Sequence, residues 1–284
     1  MMSMRLVLLL AVLAPAAAAR ADDAVLRGDA AWARRGGDPK QAMLALQDYQ
    51  EALEATPDDL AVRIRVLEAL WFQGHFLDAD RAQARKRFDR MTDLSEETVA
   101  LAEAPAGSAK DLGDLEPEER ARRVGALPHV AEAHFWAAIS WGLWAMSHGN
   151  ASSGFKGVAG RIRDHAEALI AIDERFADAG GLRLLGRLHA ATPRVPMFTG
   201  WIDPARGIAL LQRANGISTA DPRNPLFLGE ALLEHAPARR AEALALLREV
   251  AARVPDPAHA VEQQETIDEA RRVLAEEEPA HESR

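Results

Sequence analysis

The sequence predicts an all-α protein built as a tetratricopeptide-like helix–turn–helix repeat array, and three observations carry that expectation. Alternating apolar runs of strand length are nearly absent. Apolar residues recur three and four apart, as in the stripes Ala42, Leu46, Tyr49, Leu53 and Leu244, Leu247, Ala251, Val254. Helix starts are marked by Asp or Asn followed by proline, at Asp38-Pro39, Asp203-Pro204, Asn224-Pro225 and Asp256-Pro257. There the side chain caps free N–H groups, and proline's missing N–H costs nothing at the first helical position.

The first element is a processing signal. Arg5, the apolar run 6–13, Pro15 and the small-x-small triplet Ala19-Arg20-Ala21 read as a signal peptide spanning 1–21, cleaved before Asp22. The run is far shorter than the roughly 20 residues of a membrane-spanning helix, and no longer one follows. The chain has no cysteine. That excludes disulfides, thiolate metal sites, a cysteine nucleophile and a lipobox. The expectation is a periplasmic protein exported by a cleaved signal, with no lipid anchor and no membrane span.

Residues 22–278 are expected to form a single helical-repeat domain, with 279–284 as a disordered charged tail. Helices are expected near 24–35, 39–55, 59–73, 78–92, 95–102, 117–125, 129–148, 158–175, 179–191, 204–215, 225–235, 238–253 and 257–277. The segment 104–116, with Pro105, Gly107, Ser108 and Gly113, is the longest irregular stretch. Ala45, Tyr49, Ala52 and Pro57 fall at the spacing of the second tetratricopeptide helix and its closing proline. Leu185-Gly186 with His189 matches part of the first-helix signature. Gly74, Phe76 and Ala79 match the turn between the two helices. Small residues at such places let paired helices approach closely.

Charge and motifs exclude several function classes. The net charge is -9, and removal of Arg5 and Arg20 with the signal makes the mature chain more acidic still. An acidic chain without a basic stripe repels phosphate backbones, so no nucleic-acid partner is expected. There is no Gly-rich phosphate loop, nucleophile elbow or His-Glu-x-x-His pair. Asp111, Asp114, Glu116 and Glu118 lack the spacing and glycine of a calcium loop. No enzyme activity, cofactor or metal is expected.

Two segments stand out. The run 134–148 contains Trp136, Trp141 and Trp144 and is apolar all round. His134, Ala138, Trp141, Ala145 and His148 lie on one face, and Trp136, Ile139, Leu143 and Ser147 on the other. It reads either as a central core helix or as one whose rings wall a cavity for an apolar ligand. Its two histidines, roughly 21 Å apart at about 1.5 Å per residue, cannot share a metal. The loop 192–201 places Met197, Phe198 and Trp201 where a plain repeat has a short turn. It reads either as tucked over its own helix pair or as a ligand lid or partner contact. The candidate apolar pocket is therefore Trp136, Trp141, Trp144, His189, Phe198 and Trp201, with Phe198 and Trp201 at its mouth.

These segments also carry a family resemblance. The run Phe135-Trp136 to Trp141-Gly142 is followed by a long helix, then by Gly180-Gly181, Gly186 and His189. After the Pro193/Pro196 loop with Gly200 comes a helix with Ala209, Leu211 and Ala214, leading into Pro222-Arg-Asn-Pro225. This order resembles the T-component family of TRAP transporters (TatT), over about residues 40–255. The resemblance implies a periplasmic tetratricopeptide-like protein without enzymatic activity, assembled as a homotrimer with an apolar pore or cleft. It also implies association with the extracytoplasmic solute-binding protein of the transporter and handling of a hydrophobic small molecule. The best-known members of that family are lipoproteins, and this chain has no cysteine to lipidate. Without the resemblance, the residues fit equally a general envelope scaffold that binds peptides or an assembly machine.

Overall fold

A computed structural model describes residues 3–149, 154 and 156–277, with side chains from Ala18 onward except at 109 and 117. Most of the expected signal peptide and the whole tail 279–284 therefore lie outside the residues whose side chains are described.

All the regular structure among the described residues is helical. The elements are α1 (Ser3–Trp32), α2 (Gln41–Ala55), α3 (Leu60–Phe72), α4 (Arg81–Glu103), α5 (Ala109–Gly113), α6 (Pro117–Val124) and α7 (Val130–His148). They continue with α8 (Val158–Ile172), α9 (Phe176–Ala191), α10 (Pro204–Ile217), α11 (Arg223–His235), α12 (Arg240–Ala251) and α13 (Ala260–Glu277). Each long helix packs on its neighbours in sequence: α1 on α2, α2 on α3, α3 on α4, α4 on α7, and so on to α12 on α13. Local succession of this kind buries each apolar stripe against the next one.

The caps explain where helices begin. Asp203 accepts from the Ala205 N–H at 3.0 Å, and Asp256 accepts from Ala258 at 2.9 Å ahead of α13. Asp59 and Asp80 do the same for α3 and α4. Asn224-Pro225 does not cap α11. That helix starts at Arg223, whose N–H donates to the Asp221 carboxylate at 2.9 Å. Asn224 is instead fully buried.

Other boundaries differ from expectation for identifiable reasons. The two helices expected at 78–92 and 95–102 are one, α4. Its buried polar residues return their hydroxyls to the backbone, Thr92 to Phe88 O at 2.5 Å and Thr98 to Leu94 O at 2.6 Å. The Gly74–Phe76 turn is a π-helical turn, Gln73–Leu77, continuous with α3. The segment 104–116 holds the short helix α5, closed by a capping box between Ser108 and Asp111.

The core runs through the middle of the succession. Tyr49, Leu67 and Leu70 from α2 and α3 and Met91 from α4 are fully buried, and Phe135, Trp136 and Leu143 of α7 join them in one cluster. Trp141 and Trp144, on the far side of α7, pack with Val158, Ile162 and Leu185 in a second. The ends of the succession also meet. Gly36, after α1, abuts the carbonyl of Pro257 so closely that a Cβ there would stand 2.0 Å from its oxygen. Beside it, Arg35 pairs with Glu262 of α13 at 2.9 Å, and His75 contacts Glu265 at 3.0 Å.

Candidate functional site

Where the two ends meet, the helices form a half-open cavity of about 460 Å³. One wall is aromatic. Trp71 of α3 and Trp136 of α7 lie 5.7 Å apart at a 53° tilt, and Phe135 stands edge-on to Trp136 at 5.5 Å. The opposite wall comes from α13, from the segment before α11 and from Arg35, and it is charged. Arg35 is buried with its guanidinium 4.2 Å from the Trp32 ring centre. Its Nε and Nη2 both donate to Glu262 Oε1, at 3.0 and 2.9 Å, and Nη1 donates to Trp32 O at 3.2 Å. Glu262 Oε2 is buried and accepts no hydrogen bond.

Glu68 of α3 also lines the cavity, and among the described residues it has no hydrogen bond or ion pair. Burial pushes its carboxyl up to about 7; Arg35 opposes the rise, and the Glu262 carboxylate adds to it. The Asp221 carboxyl goes the other way. Burial would raise it, but the guanidiniums of Arg183 and Arg223 outweigh that effect and hold it well below the usual range.

The floor of the cavity is a strained turn. Ala177, Asp178 and Ala179 all have left-handed backbone angles, with φ of 49°, 56° and 62°. That conformation costs a non-glycine residue about 1–2 kcal/mol. Two buried polar side chains hold it. Arg183 donates to Asp178 O at 3.2 Å and Ala177 O at 3.3 Å, and reaches Asp221 at 3.1 Å. Asn224 donates to Asp178 O and Ser218 O, both at 2.8 Å, while its own oxygen accepts from Arg183 at 3.0 Å. Both Nη atoms of Arg183 and both ends of the Asn224 amide have partners, and such pairing lets a buried network stabilise.

The six residues of the expected pocket do not line one cavity, although Trp141 and Trp144 share a cluster on which Trp201 packs. Trp136 lines the cavity, and the other five are not among its lining residues. Trp141 and Trp144 face α4 and α8. Their indole N–H groups donate to Glu96 at 2.6 Å and Asp89 at 2.7 Å, and Arg161 and Lys156 sit over their rings. His189 is buried; its Nδ1 accepts from the Asp203 N–H at 3.1 Å, and its ring meets Trp201 edge-on at 5.4 Å. Burial, then the Arg206 charge, pushes that imidazole below its ordinary value. Phe198 is exposed and lies beside Gly154. The loop 192–201 does not cover the cavity and is tied to itself. Thr199 donates to Pro193 O at 2.7 Å and Arg194 to Gly200 O at 2.8 Å.

Glu68, Trp71, Arg35 and Glu262 are the cavity residues that sequence reasoning missed. The available signal was the buried face of the tryptophan helix carrying Trp136 and Ile139, which needs large partners from elsewhere in the chain. A separate buried polar chain links α4, α6, α7 and α8. Arg120 pairs with Glu103 at 2.6 Å, Glu103 meets His134 Nε2 at 3.2 Å, and His134 Nδ1 meets His165 Nδ1 at 3.0 Å. Its groups are consumed by one another, and none of them lines the cavity described above. Among the described residues no group of three or more His, Asp or Glu side chains is arranged to hold a metal ion. No helix there is long and apolar enough to cross a membrane. No family model matches the chain, and no curated protein is significantly similar to it.

Proposed function

We propose that this chain is a non-enzymatic, ligand-handling accessory protein of the cell envelope, built as a tetratricopeptide-like superhelix. In this reading it serves a TRAP-type uptake system by associating with the extracytoplasmic solute-binding protein. The observation that carries the reading is the half-open, aromatic-lined cavity at the closure of the helical succession. A volume of this size suits a small organic molecule, held by its apolar surface and oriented by a few polar groups. Support also comes from the buried Ala45, Tyr49 and Ala52 at the α1–α2 contact, where the repeat pattern calls for close helix approach. The signal-like N-terminus supports export to the periplasm, and the TatT-like order of motifs supports the transport context and a homotrimer.

Native mass spectrometry of the exported, purified protein is the test. The expected result is a mature chain beginning at Asp22, in a trimer, carrying a small non-covalent ligand. It should also bind a TRAP-type extracytoplasmic solute-binding protein. A bare monomer that ignores that protein would overturn the transport reading. A second reading, an envelope scaffold for peptides or an assembly machine, draws on the surface loop 192–201. There Met197 is 98% exposed with Val195 and Phe198 also exposed, an apolar cluster suited to a protein partner. Capture of envelope-assembly components, lost on Met197→Ser with Phe198→Ser, would favour it.

A further inference from the structure

We propose that the cavity selects an organic cation, an amine or ammonium group carried on an apolar body about the size of one aromatic ring. This deepens the ligand-handling reading and rests on it, since it names the chemistry of the molecule the cavity would hold.

Among the lining residues carboxylates outnumber guanidiniums five to two. Both guanidiniums are already engaged. Arg35 gives its Nε and Nη2 to Glu262 and its Nη1 to a backbone carbonyl. Arg223 holds Asp221 through Nε at 2.9 Å and through Nη2. Asp256 meets His259 and caps the turn before α13. Asp178 accepts from the Ser218 hydroxyl at 2.7 Å.

What remains unsatisfied is acceptor capacity. Glu68 has no partner among the described residues, and Glu262 Oε2 is buried without one. The two carboxylates are also near enough to repel each other, which is part of what lifts Glu68 toward 7. A buried acceptor left open costs about 1–3 kcal/mol, more when charged. A single cationic donor seated on Glu68 would fill its open acceptors and offset the repulsion from Glu262.

The aromatic wall points the same way. Trp71 and Trp136 present two indole rings at the same cavity, and tryptophan is the best side-chain partner for a cation lying over a ring face. Phe135 and Ile139 supply apolar surface for the rest of the ligand. An anionic amphiphile such as a fatty acid would meet excess carboxylate, with no guanidinium left unengaged to receive its head.

An isosteric trio tests this on the purified full-length mature protein at pH 8: phenethylamine, 2-phenylethanol and 3-phenylpropionate, followed by calorimetry and tryptophan fluorescence. The amine is expected to bind at least ten-fold more tightly than the alcohol, with the acid weakest. Glu68→Gln should cut the amine's affinity about ten-fold and leave the alcohol's unchanged. Equal affinity across the trio, or preference for the acid, would overturn the cation proposal while leaving the cavity as a ligand site. Failure of all three to bind a protein whose helical spectrum is intact would overturn the proposal and count against the ligand-handling reading itself. Binding of the amine without any association with a solute-binding protein would uphold the cation site and remove only the transport context.

Discussion

Glu68 sits where a carboxylate works against folding. Its carboxyl titrates near 7 in the folded protein, against an ordinary value of 4.5. Below pH 4.5 both states are protonated and the residue is neutral in effect. Between 4.5 and 7 the folded state holds the extra proton, so stability falls as pH rises. Above 7 the whole penalty is present. Glu68→Gln is therefore expected to stabilise the protein by about 2 kcal/mol at pH 8 and by almost nothing at pH 4. Urea midpoints at the two pH values measure this, and an equal gain at both would place the carboxyl in a polar setting. Trp141 behaves in the opposite sense. Its ring is buried, and its N–H is bonded to Glu96, so Trp141→Ala should cost about 3–5 kcal/mol by lost burial and the cavity left behind. A loss under about 1 kcal/mol would contradict its packing. These two residues differ in how far the sequence reveals them. Trp141 announces a core position through the density of apolar neighbours on its own helix. Glu68 looks like any charge on an amphipathic helix, because the groups that bury it come from Arg35 and from α13.

The left-handed turn at the start of α9 shows how a strained segment is held by elements remote from it. Asn224 sits on α11 and Arg183 further along α9, and together they bind the turn's carbonyls. Asn224→Ala would leave Asp178 O and Ser218 O each without the amide donor and Arg183 one acceptor short. The expected cost is about 2–4 kcal/mol in denaturant unfolding, from several buried polar groups losing their partner at once. A change below about 1 kcal/mol would mean that the turn is held by other contacts. The start of α10 was legible where Asp203 precedes proline with no competitor nearby, whereas Asp38-Pro39 stands in a turn and α2 begins only at Gln41. In Asp221-Pro222-Arg-Asn-Pro225 two candidates overlap. The earlier one caps α11, and that choice frees Asn224 for the buried knot. The break expected within α4 failed for a different reason. Threonine disfavours a helix interior when its hydroxyl seeks outside partners, but here the hydroxyls of Thr92 and Thr98 turn back to their own helix.

At the scale of the molecule, the helical class was legible because periodicity and capping are local properties, and successive stripes pack on their neighbours. Circular dichroism should show a spectrum dominated by helix, with one cooperative unfolding transition. A second transition of comparable size would mean that the two ends melt apart. The closure of the ends was not legible, since it depends on Gly36, Arg35 and Glu262, none of which carries a motif. That closure has a kinetic consequence. Contacts within the succession span few residues, whereas Arg35 and Glu262 are 227 positions apart. The entropy of bringing chain ends together grows with the segment enclosed, so this junction has the least reason to form early. Once neighbouring helices have docked, the junction snaps shut on a nearly finished scaffold. Weakening it with Gly36→Val, which places side-chain atoms against the Pro257 carbonyl, should therefore accelerate unfolding severalfold and leave the refolding rate almost untouched. The junction would then act as a clasp that sets how long the native state lasts rather than how fast it is reached.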